Sequence, residues 1–193
     1  HHRVKNNMTL VGSLLSLHAA RTKNDEARGV LQEAATRTRS MMNLYDEIYR
    51  SDCVPNMPAG PFLMSIVNQV VSLYTDVAPV PVHPTVDADD VRIDSRNLVT
   101  IGVIINELAT NSMKYAFDEV DTGRISIRFE KTGSVLALHY RDNGPGPASL
   151  PESASASGFG MELCRALVTQ MGGTIRQNSS DGMSLVLEFE ALD

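Results

Sequence analysis

The chain has 193 residues, enough for one large domain or two small ones at about 150 residues per domain. Seventeen basic and twenty-three acidic side chains give a formal net charge of −6, which argues against a general nucleic-acid partner because no basic excess is available to neutralise phosphates. Two cysteines exclude a disulfide framework and favour a reducing, cytoplasmic setting. No apolar run approaches the ~18 residues of a membrane span, and because the chain starts at His1 without a signal peptide we expect an upstream region to be missing.

Residues 3–50 carry apolar side chains at three- and four-residue spacing, which predicts helix. Polar residues 22–26 interrupt this pattern, and Asp25 is a candidate cap for a second helix. Two helices joined by so short a link form an antiparallel hairpin whose apolar stripe needs a cover. A second copy of the hairpin, giving a four-helix bundle, is the expected cover. The stripe comprises Val4, Met8, Val11, Leu15, Ala27, Leu31, Ala34, Met41, Tyr45 and Ile48.

Residues 53–61 contain three prolines and a glycine, which predicts a linker and divides the chain into domains 1–54 and 55–193. The second domain alternates between the two periodicities. We predict helices over 63–74, 98–115 and 161–171, and strands over 80–86, 124–129, 135–140, 174–177 and 185–189. The predicted fold class is therefore α+β: a helical hairpin followed by an α/β sandwich with a mixed, mostly antiparallel sheet and helices on one face.

The long helix of the second domain carries a polar face that could perform chemistry. Glu107 and Asn111 are four residues apart, and Lys114 follows three residues later, so all three share one helix face. An amide oxygen can bind Mg²⁺, a carboxylate can accept a proton and an ammonium group can meet a phosphate. Taken alone, the same spacing also describes an ordinary amphipathic helix.

Two glycine-containing segments follow. Asp142, Gly144 and Gly146 come directly after a strand, where glycines let the backbone approach a ligand and the carboxylate can accept from an amino group. Taken alone, this segment is better explained by a plain hairpin turn. Residues 158–161 (Gly158, Phe159, Gly160 and Met161) open a helix, and a helix N-terminus can hold an anion. Between them, residues 147–157 have almost no apolar anchors, which predicts a mobile lid.

These three segments, in this order, resemble the N, G1 and G2 boxes of the ATPases that include gyrase, MutL and the sensor histidine kinases, which share the Bergerat fold. The resemblance implies binding of ATP and Mg²⁺. It implies that Asp142 accepts from the adenine amino group, that Gly144 and Gly146 close on the base, and that Asn111 is the metal ligand. The remaining implied nucleotide-binding residues are Lys114, Tyr115, Gly158, Phe159, Gly160 and Met161. No P-loop pattern occurs.

The start of the chain indicates a branch of this superfamily. Residues 2–7 resemble the His-Arg-x-x-Asn phosphoacceptor box of a class of bacterial histidine kinases related to the HWE group. The resemblance implies that His2 is phosphorylated, that the acceptor partner is an Asp of a response regulator receiver domain, and that the chain is a homodimer. Asn6 lies where the family places a residue that assists dephosphorylation. The chain departs from the wider family because Arg3 replaces the acid after the acceptor, Trp is absent, and Met183 follows Gly182.

Because that acid is missing, Glu107 is the candidate base or polarising group for attack by His2. Two alternatives remain open: a histidine phosphotransfer adaptor of the same architecture that does not bind ATP, and a Ser/Thr kinase with the same ATP-binding fold. The intact acid and glycines weigh against the adaptor, and the His-bearing hairpin weighs against the Ser/Thr kinase.

Overall fold

The computed structural model describes residues 2–50, 57–88, 91–146, 159–178 and 182–190. The chain divides into two compact units, His1–Val54 and Pro55–Asp193. No helix in the described ranges is long and apolar enough to cross a membrane.

The first unit is a hairpin of two helices, α1 (His2–Arg21) and α2 (Asp25–Arg50). The cap of α2 differs from the prediction, because Asn24 and not Asp25 performs it: the Asn24 side-chain oxygen accepts the N–H of Ala27 at 3.0 Å. Asp25 lies inside the first turn and pairs with Arg28. The capping side chain belongs to the residue that precedes the first helical turn, and Asn serves there as well as Asp.

Small side chains allow α1 and α2 to approach each other closely. Ala19 and Ala35 are buried, and a Cβ added to Gly12 would lie 3.7 Å from Cγ2 of Thr38. The hydroxyl of Thr9 lies 3.1 Å from the sulfur of Met42. Gly12, which is later in α1 than Thr9, faces Thr38, which is earlier in α2 than Met42. This confirms the predicted antiparallel hairpin.

The linker prediction for residues 53–61 is wrong at its C-terminal end. Residues 57–58 form a short strand, β1 (Met57–Pro58), and helix α3 (Ala59–Tyr74) begins directly after it. Pro61 is accommodated because it lies in the first turn of α3, where backbone N–H groups have no partner within the helix. The N–H of Ala59 instead donates to the carbonyl of Val91, and β1 pairs with β3 (Arg92–Ile93).

A five-stranded sheet forms the body of the second unit. The strands are β2 (Val82–Asp87), β4 (Gly123–Thr132), β5 (Val135–Asp142), β6 (Thr174–Asn178) and β7 (Ser184–Glu190). Their order is β2-β4-β5-β7-β6, with β2 parallel to β4 and every other pair antiparallel, which confirms the predicted mixed sheet. Alternate residues of β4 are buried, so one face of the sheet is apolar and the other is polar.

The apolar face of the sheet is covered by α3, by α4 (Ser95–Tyr115) and by α5 (Phe159–Gln170). Helix α4 is central, since residues 101–109 are all buried. It begins three residues before the predicted start because the Asp94 carboxylate caps it, accepting the backbone N–H of Asn97 at 3.1 Å. This placement brings the polar face of α4 beside the end of β5.

Candidate functional site

The carboxylate of Asp142, at the end of β5, is buried, with only 4% of the residue exposed. Its Oδ1 accepts the backbone N–H groups of Gly144 and Met183, both at 3.1 Å. Its Oδ2 accepts the hydroxyl of Ser112, which α4 supplies. A carboxylate has about four acceptor positions, so these three donors from described residues leave about one position, on Oδ2, for a further donor.

A buried tyrosine supports this arrangement from the interior. The hydroxyls of Tyr140 and Ser112 lie 2.8 Å apart. Burial raises the pKa of Tyr140, and the negative charge of Asp142 raises it further, although the hydrogen bond with Ser112 lowers it. The phenol therefore stays protonated at physiological pH.

The turn after β5 requires its glycines. A Cβ at Gly144 would lie 2.5 Å from the carbonyl oxygen of Ala116, and Gly146 has a φ of 81°, a conformation that other residues rarely adopt. Gly182 also has a φ of 81°, and a Cβ there would overlap the Asp142 carbonyl oxygen. These close approaches bring the N–H of Met183 to the Asp142 carboxylate.

Asn143 ties this turn to the start of β4. Its side-chain oxygen accepts the backbone N–H of Arg124 at 2.6 Å, and its amide donates to the carbonyl of Thr122 at 2.9 Å. The short polar segment that sequence alone could assign to a plain hairpin is therefore held on both sides. Such rigidity allows the Asp142 carboxylate to keep one direction.

The polar face of α4 reaches the same region. Glu107 is only 1% exposed, whereas Asn111 and Lys114 are partly exposed and Tyr115 is 39% exposed. Asn111 directly precedes Ser112 in α4, so its backbone lies beside that of the residue whose hydroxyl donates to Asp142. Glu107 lies one turn earlier on the same face.

Only part of the third predicted segment falls within the described residues. Phe159 begins α5, Gly160 is buried and Met161 is partly buried, so the first turn of α5 lies where a Gly-x-Gly start was expected. Its first N–H groups lack partners within the helix and could bind an anion. Gly158 and the predicted lid, residues 147–157, lie outside the described residues.

Comparison with family models gives two matches along the chain. Residues 1–74 match the family model described as histidine kinase, and residues 97–192 match the model described as histidine kinase-, DNA gyrase B- and HSP90-like ATPase. The chain belongs to the histidine kinase family. The family resemblance inferred from residues 2–7 and from the three boxes is thereby confirmed.

Alignments with curated relatives cover nearly the whole of this histidine kinase chain. The sensor histidine kinase PdtaS of Mycolicibacterium smegmatis is 30% identical over 196 residues, covering 97% of this chain and 38% of the relative. Blue-light-activated histidine kinase 2 of Erythrobacter litoralis is 23% identical and covers 90% of this chain and 50% of the relative. The chain thus spans half or less of the length of these relatives.

Solved structures show the same fold. The histidine kinase domain of a blue-light-activated histidine kinase from Erythrobacter litoralis superposes with a TM-score of 0.66 at 19% identity, covering 96% of this chain and 94% of that one. The histidine kinase AdeS of Acinetobacter baumannii gives a TM-score of 0.54 at 16% identity, covering 100% and 99%. The predicted fold class of hairpin plus α/β unit is confirmed.

The phosphoacceptor candidate of this histidine kinase lies in the other unit. His2 is the first residue of α1, and Asn6 lies about one turn later in the same helix. The candidate phosphoacceptor and the candidate nucleotide-binding residues therefore belong to different units.

The sequence analysis did not identify two residues that support Asp142 in this histidine kinase. Ser112 donates a hydrogen bond to Asp142, and Tyr140 is hydrogen-bonded to Ser112. Ser112 and Tyr140 are 28 residues apart, and no local pattern shows that they meet. A weak signal was available, because Tyr140 and Asp142 are two apart in one strand and so share a face. Met183 was noted only as a departure from the family, yet its backbone N–H binds the Asp142 carboxylate.

Proposed function

We propose that this chain is the catalytic region of a sensor histidine kinase, which transfers the γ-phosphoryl group of ATP to His2 and then to an Asp of a response regulator receiver domain. The observation that supports this most directly is the Asp142 carboxylate, buried, oriented by three donors and left with about one acceptor position. A reaction that consumes ATP fits the cytoplasmic location that the sequence predicts.

In this proposal the end of β5 and α4 together bind the nucleotide. Asp142 accepts from the adenine amino group, and the tight backbone at Gly144 and Gly146 lets the base lie against the turn. Tyr115, at the exposed end of α4, lies beside the nucleotide. Lys114 neutralises phosphate charge, and the first turn of α5, with Gly158, Phe159, Gly160 and Met161, holds the phosphate tail.

The magnesium ion has one proposed protein ligand, the side-chain oxygen of Asn111. Among the described residues no cluster of three or more His, Cys, Asp or Glu side chains could hold a metal. A single amide oxygen nevertheless fits Mg²⁺, which usually retains several waters and takes its other ligands from substrate phosphates. We therefore propose that metal and nucleotide bind together.

His2 supplies the nucleophile and Glu107 supports it. An imidazole with an ordinary pKa of about 6.5 is largely neutral at pH 7, so a ring nitrogen can attack phosphorus without a costly deprotonation. The bond from that nitrogen to the γ-phosphorus forms as the bond to the ADP oxygen breaks, and the ring proton is lost to a base, for which Glu107 is the candidate. Positioning and charge neutralisation supply most of the rate because the transition state is loose.

Nucleotide binding should depend on Asp142. Asp142→Ala removes a charge-assisted hydrogen bond to the adenine amino group, worth about tenfold to a hundredfold in ATP affinity. Calorimetric titration with Mg-ATP measures the change, and Asp118→Ala, an exposed acid beyond α4, is the matched control. Unchanged affinity in Asp142→Ala would remove the adenine assignment. Absence of ATP binding by the wild-type chain would favour the phosphotransfer adaptor.

The hairpin should form a homodimer. Besides the face that α1 turns to α2, an apolar strip remains in water: Leu10, which is 60% exposed, together with Val11, Leu14 and Leu17. Val11, predicted as a member of the stripe that needs a cover, belongs to this exposed strip. Sedimentation at micromolar concentration should give twice the chain mass of 21.0 kDa, and Leu10→Glu with Leu14→Glu should give the monomer. A wild-type monomer would contradict the bundle.

The identity of the phosphorylated group separates kinase classes. Phosphohistidine is a phosphoramidate and is labile to acid, whereas phosphoserine and phosphothreonine are phosphate esters that survive it. Incubation of the chain with γ-labelled ATP and Mg²⁺ should therefore yield a label that acid removes and base preserves. An acid-stable label would favour the Ser/Thr kinase of the same fold.

A further inference from the structure

Three side chains form a continuous buried hydrogen-bonded chain, from Tyr140 through Ser112 to Asp142. We propose that Ser112 and Tyr140 are positioning residues that make the nucleotide site selective for a base bearing an exocyclic amino group. The inference rests on the proposed binding of ATP. It concerns residues that do not themselves touch the base and that lie on two different elements, α4 and β5.

The two hydrogen bonds that join Tyr140, Ser112 and Asp142 have one consistent assignment of donor and acceptor. An ionised carboxylate can only accept, so Ser112 must give its single hydroxyl hydrogen to Asp142. Tyr140 must then donate to the Ser112 oxygen, which its phenol can do because burial keeps it protonated. All three residues are nearly inaccessible, with Ser112 only 2% exposed, so water does not compete for these hydrogen bonds. The charge of Asp142 is thereby stabilised from the interior of the domain.

This assignment determines what the carboxylate can still accept. Gly144 and Met183 occupy Oδ1, and Ser112 occupies one position of Oδ2, so the Asp142 carboxylate cannot rotate without breaking a hydrogen bond. The remaining position suits one N–H donor, such as the amino group of adenine. A base with a carbonyl oxygen at that point would set oxygen against an ionised oxygen, which is repulsive.

A purely structural role of Ser112 and Tyr140 would have a different effect on nucleotide affinity. If Ser112 and Tyr140 only filled the core, replacing them would weaken binding of every nucleotide to the same extent. If they orient Asp142, replacing them should weaken only ligands that donate to Asp142. The comparison between ATP and purine riboside triphosphate, which differs by lacking the amino group, separates the two cases.

The test is calorimetric titration of the full chain with Mg-ATP and with the magnesium complex of purine riboside triphosphate. In Ser112→Ala we expect ATP affinity to fall about tenfold, the effect of losing a hydrogen bond to a charged group, while affinity for the desamino analogue changes less than about twofold. Tyr140→Phe, which leaves the Ser112 hydroxyl in place, should show the same selectivity with a smaller loss of about threefold. Ser126→Ala, on the exposed face of β4, is the control and should change neither affinity.

Equal losses for both nucleotides, or no loss for either, would overturn the positioning role while leaving ATP binding by the wild type intact. Failure of the wild-type chain to bind ATP would overturn the proposed function, and the positioning role with it. Should Ser112→Ala fail to fold, as judged by thermal melting, the same two-ligand comparison in Tyr140→Phe decides the matter.

Discussion

Replacing His2 with Gln should abolish transfer of the γ-phosphoryl group of ATP to this chain. Glutamine keeps a polar side chain at the start of α1, but its amide nitrogen is not a nucleophile, so no phosphoramidate can form. Nucleotide affinity should be unchanged, because the proposed ATP site belongs to the other compact unit. The measurement is labelling of the chain by γ-labelled ATP, with calorimetric titration of Mg-ATP in parallel.

The matched control is His18→Gln, because His18 lies in the same helix and is exposed. It should label at the wild-type rate. Label that persists in His2→Gln would remove His2 as the acceptor, and loss of label in both variants would point to damage to the hairpin rather than loss of a nucleophile.

Replacing Glu107 with Gln should slow phosphoryl transfer by about 10²–10⁴-fold, the typical effect of losing a positioned general base. Glu107 is 1% exposed, so its carboxylate acts out of contact with bulk water, where a charge interacts more strongly with its neighbours. A base acts in the transition state, so ATP affinity should stay close to that of the wild type. Single-turnover labelling gives the rate, and titration gives the affinity.

Glu119→Gln is the control for this variant, since Glu119 is an exposed acid just beyond the end of α4. Its transfer rate should equal that of the wild type. Near-normal transfer in Glu107→Gln would show that His2, already largely neutral, needs no base, and the missing acid after His2 would then have no catalytic consequence.

The helices and strands were largely predictable because each carries a strong period. The alternation in β4 and the apolar spacing of α4 predicted both elements to within three residues at each end. Element ends were less accurate for local reasons. Pro61 reads as a helix breaker, yet it is tolerated in a first turn, and Asn24 competes with Asp25 as the cap of α2.

The hairpin prediction was correct in its topology and incomplete in its apolar stripe. Spacing correctly predicted two antiparallel helices, but the predicted stripe contains Val11 and omits Leu10 and Leu14, and all three side chains are exposed. When a helix has two apolar faces, counting apolar residues at three- and four-residue spacing does not separate one face from the other. Only the position of the partner helix, which approaches at Gly12 and Ala19, shows which face is covered.

By itself the sequence determined the family and the order of the three boxes, and it supplied the candidate residues for the proposed chemistry, because these depend on residue type and short spacing. Only the tertiary structure decided how Asp142 is held. Its donors come from Ser112, Gly144 and Met183, which lie on α4, the β5 turn and the segment before β7. Ser112 and Met183 lie 30 and 41 positions from Asp142 in the sequence. Their hydrogen bonds to it depend on how the sheet and the helix pack, which the spacing of residues within one helix or strand does not predict.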